Sequence, residues 1–252
     1  MYNTHMFYFD KIHGKLILKS DLLNDLNHFF TTRESIIRTK EPDFLYLAEE
    51  NTKIICDYLE INSCSLISPV QTHSANIATV QADKNNYPDT DGLILTDNKQ
   101  AIFLNFADCV PIILFDKEKN VAAISHAGWR GTAQKITRKT VKKMIDEFGC
   151  SDENITAVIG PAISKCCFDI GEDVYEELKS TIENSKGLFE IKENRIFADL
   201  KGINYQQLQE AGISKIDICP YCTYCNNDLF FSYRKENATT NRHSAVVKLN
   251  HV

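Results

Sequence analysis

The sequence predicts an α/β or α+β domain whose sheets are covered by helices. Strand-like and helix-like segments are mixed along all 252 residues. The strand-like runs are rich in Ile, Val and Phe, as buried strands usually are. No repeat, low-complexity run or Gly/Ser/Pro linker divides the chain. With 43% hydrophobic residues, it can bury one large core or two modest ones.

Taken in order, residues 7–19 read as a strand pair, with Phe7, Phe9, Leu16 and Leu18 alternating around a His13-Gly14 turn. Residues 44–60 place Leu45, Ile54, Ile55, Tyr58 and Leu59 at helical spacing. Strands are expected at 65–70 and 76–81, with Gln71-Thr72-His73 in the loop between them. Further short strands are expected at 94–95, 101–106, 110–115 and 121–125. Residues 132–148 form the clearest helix: Ala133, Ile136, Val141, Met144 and Phe148 share one face, and Gly149 stands where a C′ glycine belongs. Lys135, Arg138, Lys139, Lys142 and Lys143 fall opposite, which reads as a solvated face. A strand at 155–159, short helices at 172–183 and 204–211, and strands at 229–233 and 245–249 complete the pattern.

Several function classes are excluded early. A net charge of −6 gives the wrong electrostatic sign for non-specific binding to nucleic acid or anionic lipid. The most apolar stretch, AIFLNFADCVPIILF, is interrupted by Asn105 and Asp108 and is shorter than the roughly 20 residues a membrane span requires. Nine cysteines without a secretory leader predict reduced thiols in a cytoplasmic protein. Seven histidines with no His-x-His pair exclude multicopper oxidase chemistry.

Three motifs place a reactive side chain at the end of an apolar run: His73 after SLISPVQT, Cys109 after AIFLNFAD, and His126 after VAAIS. Spacings of 36 and 17 residues match no zinc finger. Ligands gathered from three strand ends are, however, typical of catalytic metal sites, and two imidazoles with one thiolate suit Zn²⁺, with Cu²⁺ tolerated. For any one of these residues alone, a hydrogen-bonded core role is favoured; the case rests on the three together. The stretch SHAGWRGTAQKI reads strand, glycine turn, helix. Gly128 and Gly131 allow close backbone approach, and Arg130 offers a fork suited to phosphate. A tight turn plugged by Trp129 explains the same residues about equally well. Asp108 is either a general base or a carboxylate capping a turn. Cys219, Cys222 and Cys225 have spacing resembling part of an iron–sulfur run, but no fourth ligand follows at a usual distance. Buried or half-buried thiols are the favoured reading there, and for Cys166-Cys167.

Together these motifs resemble the YfiH-like, or laccase-domain, family, also labelled polyphenol oxidase and purine nucleoside phosphorylase. The matching stretches are FTTR at 30–33, QTH at 71–73, DTDGLILT at 89–96, ADCVPIILFD at 107–116, HAGWRGTAQKI at 126–136, IGPAISKCCFDIG at 159–171, CT at 222–223 and FFSYR at 230–234. The resemblance implies one catalytic domain over residues 1–252, built of two packed mixed β-sheets flanked by helices and akin to the catalytic domain of cytotoxic necrotizing factor toxins. It implies zinc ligands at His73, Cys109 and His126, with Cys109, His126 and Asp108 in the catalytic group. Substrate or phosphate contacts would come from Arg33, Gln71, Arg130 and Gly131. Ser74, Glu34-Ser35 and Asn241 depart from positions where the family carries glycine, which bears on substrate fit more than on the metal.

The activities implied are phosphorolysis of adenosine, inosine, guanosine and methylthioadenosine, and deamination of adenosine. The partners are then small purine nucleosides and phosphate, without nucleic acid or membrane. The competing reading is a metal-free Cys–His hydrolase or deamidase acting on cell-wall precursors, with Cys109 as nucleophile. A third reading, structural zinc in a non-catalytic protein, needs a fourth protein ligand that the motif does not provide.

Overall fold

The computed structural model describes residues 6–250. Strands β1 (Phe7–Ile12) and β2 (Lys15–Ser20) form the expected hairpin. Its two turn residues, His13 and Gly14, have φ of 47° and 84°, the sign a tight two-residue hairpin turn requires. Then come β3 (Asn27–Thr31), α1 (Leu45–Tyr58), β4 (Leu66–Ile67), β5 (Ile77–Thr79), β6 (Gly92–Leu95), β7 (Ala101–Phe106), β8 (Val110–Asp116) and β9 (Val121–Ala127). The rest comprises α2 (Trp129–Ala133), α3 (Ile136–Phe148), β10 (Ile155–Ile159), β11 (Asp169–Ile170), α4 (Glu172–Lys179), β12 (Phe189–Lys192), β13 (Arg195–Ala198), α5 (Leu200–Glu210), β14 (Lys215–Ile218) and β15 (His243–Lys248).

Two six-stranded mixed sheets result, ordered β1-β2-β3-β15-β7-β4 and β14-β10-β8-β9-β6-β5, with a small third sheet β11-β13-β12. Side-chain alternation makes them a sandwich. Phe30, Ile102, Leu104, Phe106, Ala245 and Val247 of the first sheet meet Leu93, Leu95, Ile113, Phe115, Ile124 and Val158 of the second. The intervening residues Phe29, Ala101, Phe103 and Val246 point the other way, against Ile55, Cys56 and Leu59 of α1 and its end. Ile112, Leu114, Ala123 and Ala157 on the far face of the second sheet are covered by Ile136, Val141 and Met144 of α3 and Ile203 and Leu208 of α5. Both faces of each sheet are therefore covered, which explains why their strands read as continuous apolar runs rather than as alternation.

The predicted helix at 132–148 is divided. Lys135 adopts the left-handed conformation, φ 59°, and separates α2 from α3; Thr132 Oγ1 and its carbonyl are held by Asn204 and Gln207 of α5 across the break. Gly149 ends α3 as expected, at φ 65°, with its N–H donating to Ile145. The basic face of α3 is solvated, with Lys142–Asp146, Lys143–Glu147 and Arg138–Glu210 ion pairs. Residues 229–233 are not a strand: Leu229 and Phe230 both donate to the Asn226 carbonyl within a run of turns. Apolar residues there are buried by a loop, a situation that periodicity does not separate from a strand. Among the described residues no helix is long and apolar enough to cross a membrane. The stretch read for a secretory leader includes residues 1–5, which lie outside the described residues.

Candidate metal centre

Strand register brings the three ligand candidates together. In the β8–β9 pairing Val110 faces Ala127 and Pro111 faces His126, so Cys109, one residue before β8, lies beside Gly128. In the β6–β9 pairing Gly92 faces Ser125, which places Asp91 next to His126; the His126 N–H donates to the Asp91 carbonyl at 2.7 Å. His73 arrives from the loop between β4 and β5. One donor atom from each of His73, Cys109 and His126 lies within 4.8 Å of the others. The two imidazoles meet edge to face, with centroids 4.8 Å apart.

Asp91 organises this group. Its Oδ1 lies 2.7 Å from His126 Nδ1 and accepts from the His73 backbone N–H at 3.1 Å. Its Oδ2 accepts from Thr72 N, from Ser74 N and from Ser74 Oγ. The carboxylate thus grips the loop that holds His73 at φ 64°, a left-handed conformation unusual for a side chain of this size. With Nδ1 engaged by Asp91, Nε2 of His126 is left to face a metal, the second-sphere arrangement that fixes a ligating histidine.

The electrostatics couple Cys109 to His126 as a thiolate–imidazolium pair. Burial pushes the Cys109 thiol up, but the His126 and His73 imidazoles outweigh it and bring it down to about 6. Burial pushes His126 down, but Cys109 and Asp91 raise it to about 9. Burial also opposes ionisation of Asp91, yet its bonds to His126 and Ser74 hold the carboxyl well below the usual range. The site therefore favours the thiolate, the form of cysteine that binds metal, while His126 has to give up its proton to act as a ligand. A Cβ on Gly128 would stand 2.9 Å from Cys109 Sγ and 3.1 Å from His73 Cδ2, so a side chain at this turn would push on the ligands.

The other expected site residues separate into distinct roles. Arg130 is exposed beside the centre, its guanidinium stacked 4.2 Å from the Trp129 ring centroid. Gly131 is buried, with the carbonyls of His126 and Ser74 each 3.2 Å from where a Cβ would stand. Its role is close packing beneath the centre. Gln71 bridges to β7: its Nε2 donates to the Asn105 carbonyl and its Oε1 accepts from the Asn105 N–H. That pairing makes Gln71 a strut for the His73 loop. Arg33 is engaged within the protein: Glu236 meets its fork with contacts of 3.0 and 2.8 Å, and its Nη1 also donates to the Asn227 carbonyl. Phosphate would have to compete with Glu236 for this fork. Asp108 sits at φ 84° and accepts from Thr223 Oγ1 and the Arg234 N–H, each at 2.7 Å, which fits the turn-capping reading and not a free base.

Sequence reasoning missed Asp91 as a functional residue. Its signal lay in DTDGLILT, as a carboxylate at the start of a strand. Nothing local in that motif indicates which histidine it serves.

An open, three-donor His₂Cys centre supported by a buried carboxylate, on a two-sheet α/β sandwich, is the class of site defined here. The chain belongs to the family described as multi-copper polyphenol oxidoreductase laccase, whose model matches residues 40–250. A purine nucleoside phosphorylase of Bacteroides thetaiotaomicron is 34% identical over 183 residues, covering 68% of each chain. Adenosine deaminase RL5, from an unknown prokaryotic organism, is 30% identical over 197 residues, 73% of this chain and 75% of its own. Among solved structures, the YfiH protein of Bacillus licheniformis superimposes with a TM-score of 0.88 at 28% identity, covering 97% of this chain and 99% of its own. YlmD of Geobacillus stearothermophilus gives 0.87 at 25% identity, covering 98% and 100%. Among the described residues the clustered metal-type donors are this His₂Cys group and one group of four cysteines.

Proposed function

We propose that the protein is a zinc-dependent purine nucleoside enzyme, catalysing phosphorolysis of adenosine, inosine, guanosine and methylthioadenosine and deamination of adenosine. The observation that carries this reading is the convergence of His73, Cys109 and His126 over Asp91, in a chain whose relatives are named for these two activities. The donor set fits Zn²⁺ on chemical grounds: a thiolate and two imidazoles, one oriented by a carboxylate, with room for a fourth ligand from solvent or substrate. When bound, Zn²⁺ supplies Lewis acidity and lowers the pKa of water toward ~7.

The chain's own residues supply positioning. In phosphorolysis a phosphate oxygen forms a bond to the ribose C1′ as the C1′–N9 bond to the purine breaks, and the purine leaves with a proton. The transition state has oxocarbenium character, so alignment of the anion matters more than covalent help. Arg130, exposed and stacked on Trp129 next to the centre, is the residue suited to hold phosphate there. Asp91 keeps the His126 ring in one tautomer and orientation, and Asp108 holds the turn that presents Cys109.

A specific observation also favours the second reading. Cys109, His126 and Asp91 line up as nucleophile, base and orienting acid, the order of a cysteine hydrolase triad. His73 has no task in such a triad, which is why the metal reading stands first. Products separate the cases. Adenosine given phosphate should yield adenine and ribose 1-phosphate, or inosine by deamination, and a chelator should stop both. Neither product, together with single-site alkylation of Cys109 that a chelator does not affect, would reject the metal reading.

A further inference from the structure

We propose that Cys166, Cys167, Cys222 and Cys225 form a second metal site, a tetrahedral Cys₄ centre for Zn²⁺ that fastens together the two loops behind the Asp108–Cys109 turn. In sequence these residues read as unconnected thiols, because a fourth ligand was expected downstream of Cys225. The fold provides two ligands from upstream instead. His243, the next histidine or cysteine after Cys225, is buried on β15 against the Phe106 and Phe230 rings, and Cys219 is buried in the core between the sheets.

The geometry is that of one ion. Cys167 Sγ lies 3.5 Å from both Cys166 Sγ and Cys225 Sγ, and Cys166 Sγ lies 3.7 Å from Cys225 Sγ. All four sulfurs fall within 4.8 Å of one another. Four thiolates around zinc with Zn–S of about 2.3 Å stand about 3.8 Å apart along each tetrahedral edge. A polynuclear iron–sulfur core would need its ligating sulfurs spread around a larger body, and hard cations such as Mg²⁺ and Ca²⁺ select oxygen. A disulfide uses two sulfurs and gives no reason for three to be mutually this close.

Backbone N–H groups are turned onto one of the four sulfurs. Cys222 Sγ accepts from the Ser164 N–H at 3.3 Å, and the N–H groups of Tyr224 and Cys225 also donate to it. Cys-x₂-Cys with backbone N–H groups turned onto the first sulfur is a metal-binding knuckle. Beneath it, the buried Lys201 ammonium donates to the carbonyls of Cys219 and Tyr221 at 2.7 and 3.2 Å. This sets a positive charge against the loop that would carry the net negative charge of zinc with four thiolates.

The site would act as a clamp. The two loops touch through an Ala162–Cys222 bridge, with the Thr223 N–H donating to the Ala162 carbonyl. They then hold Asp108 from both sides: Thr223 Oγ1 reaches its Oδ1, and the Ile163 N–H reaches its carbonyl. A closed centre with four protein ligands is the structural kind of zinc site. This inference does not depend on the reaction proposed above, and its test reads no activity.

The full-length protein is expressed with zinc supplied and its metal content and X-ray absorption are measured for wild type, Cys109→Ser and Cys225→Ser. The expected result is about two zinc ions per wild-type chain and about one in each variant, with the ion left in Cys109→Ser surrounded by four sulfurs at about 2.3 Å. If Cys225→Ser does not fold, Cys109→Ser decides alone, and His126→Ala can replace it. A zinc-free Cys109→Ser protein, an ion with nitrogen or oxygen neighbours, iron in place of zinc, or mass spectra showing these four cysteines as disulfides would each overturn the assignment.

Discussion

Asp91 Oδ1 stands 2.7 Å from His126 Nδ1 at the point where β6 begins, and the same carboxylate holds three consecutive backbone N–H groups of the His73 loop. One buried acid thus orients one ligand and positions another. Asp91→Asn keeps the shape but weakens both tasks. Zinc affinity measured by competition with a chromophoric chelator should fall by about 10- to 100-fold. An affinity within a factor of two of wild type would show that Asp91 only stabilises the fold.

Gly128 tests the crowding over the centre. Its φ of −67° and ψ of 173° are open to alanine, so Gly128→Ala should leave the backbone intact. The new methyl would meet Cys109 Sγ and His73 Cδ2. Turnover should fall by about 100-fold, the effect of displacing reacting groups by about 1 Å, with thermal stability near that of wild type. Unchanged turnover would mean the ligands sit farther from the turn when the site is at work.

Two arginines predicted for phosphate should behave differently. Arg130→Ala should raise KM for phosphate while leaving Tm unchanged, because the side chain is exposed and stacked on Trp129. Arg33→Met should destabilise the fold by about 1–3 kcal/mol, since it removes the cation paired with Glu236 and the side-chain donor to the Asn227 carbonyl. Phosphate KM in Arg33→Met should match wild type. The opposite pattern would return Arg33 to the binding site.

His28 gives a prediction in pH. It is buried on β3; its Nε2 accepts from the Ser20 N–H and its Nδ1 bonds the Leu26 carbonyl. Burial lowers its pKa to about 4, against backbone bonds that favour the charged form. Because the folded-state value lies below the unfolded 6.5, the unfolded chain takes up the proton first. The stability held above pH 6.5 is therefore lost as pH falls toward 4, by roughly 3 kcal/mol from this residue. Between pH 7 and 4, denaturant titrations should show wild type losing about that much more stability than His28→Gln; parallel curves would contradict it.

Much of this molecule is legible in its sequence, for physical reasons. The hairpin at His13-Gly14, strands β7 and β10, and the Gly149 helix end are fixed by local chemistry, and the structure has them there. The trio His73, Cys109 and His126 could be picked out because each ends a buried run. Asp91 was not, because its meaning comes from the β6–β9 register, a long-range property. The four-cysteine group was missed for the same reason, since its halves come together only through the Ala162–Cys222 bridge. The carboxylate partner of Arg33 was not legible either, because Glu236 lies 203 residues away.

The most direct test of the central claim is a single paired experiment. Zinc content and adenosine turnover, with and without phosphate, are measured for wild type and Cys109→Ala. The account predicts that the variant loses one zinc relative to wild type and, with it, phosphate-dependent release of adenine and any conversion to inosine. A variant that keeps wild-type zinc and turnover, or a wild type that processes adenosine equally well when stripped of metal, would contradict it.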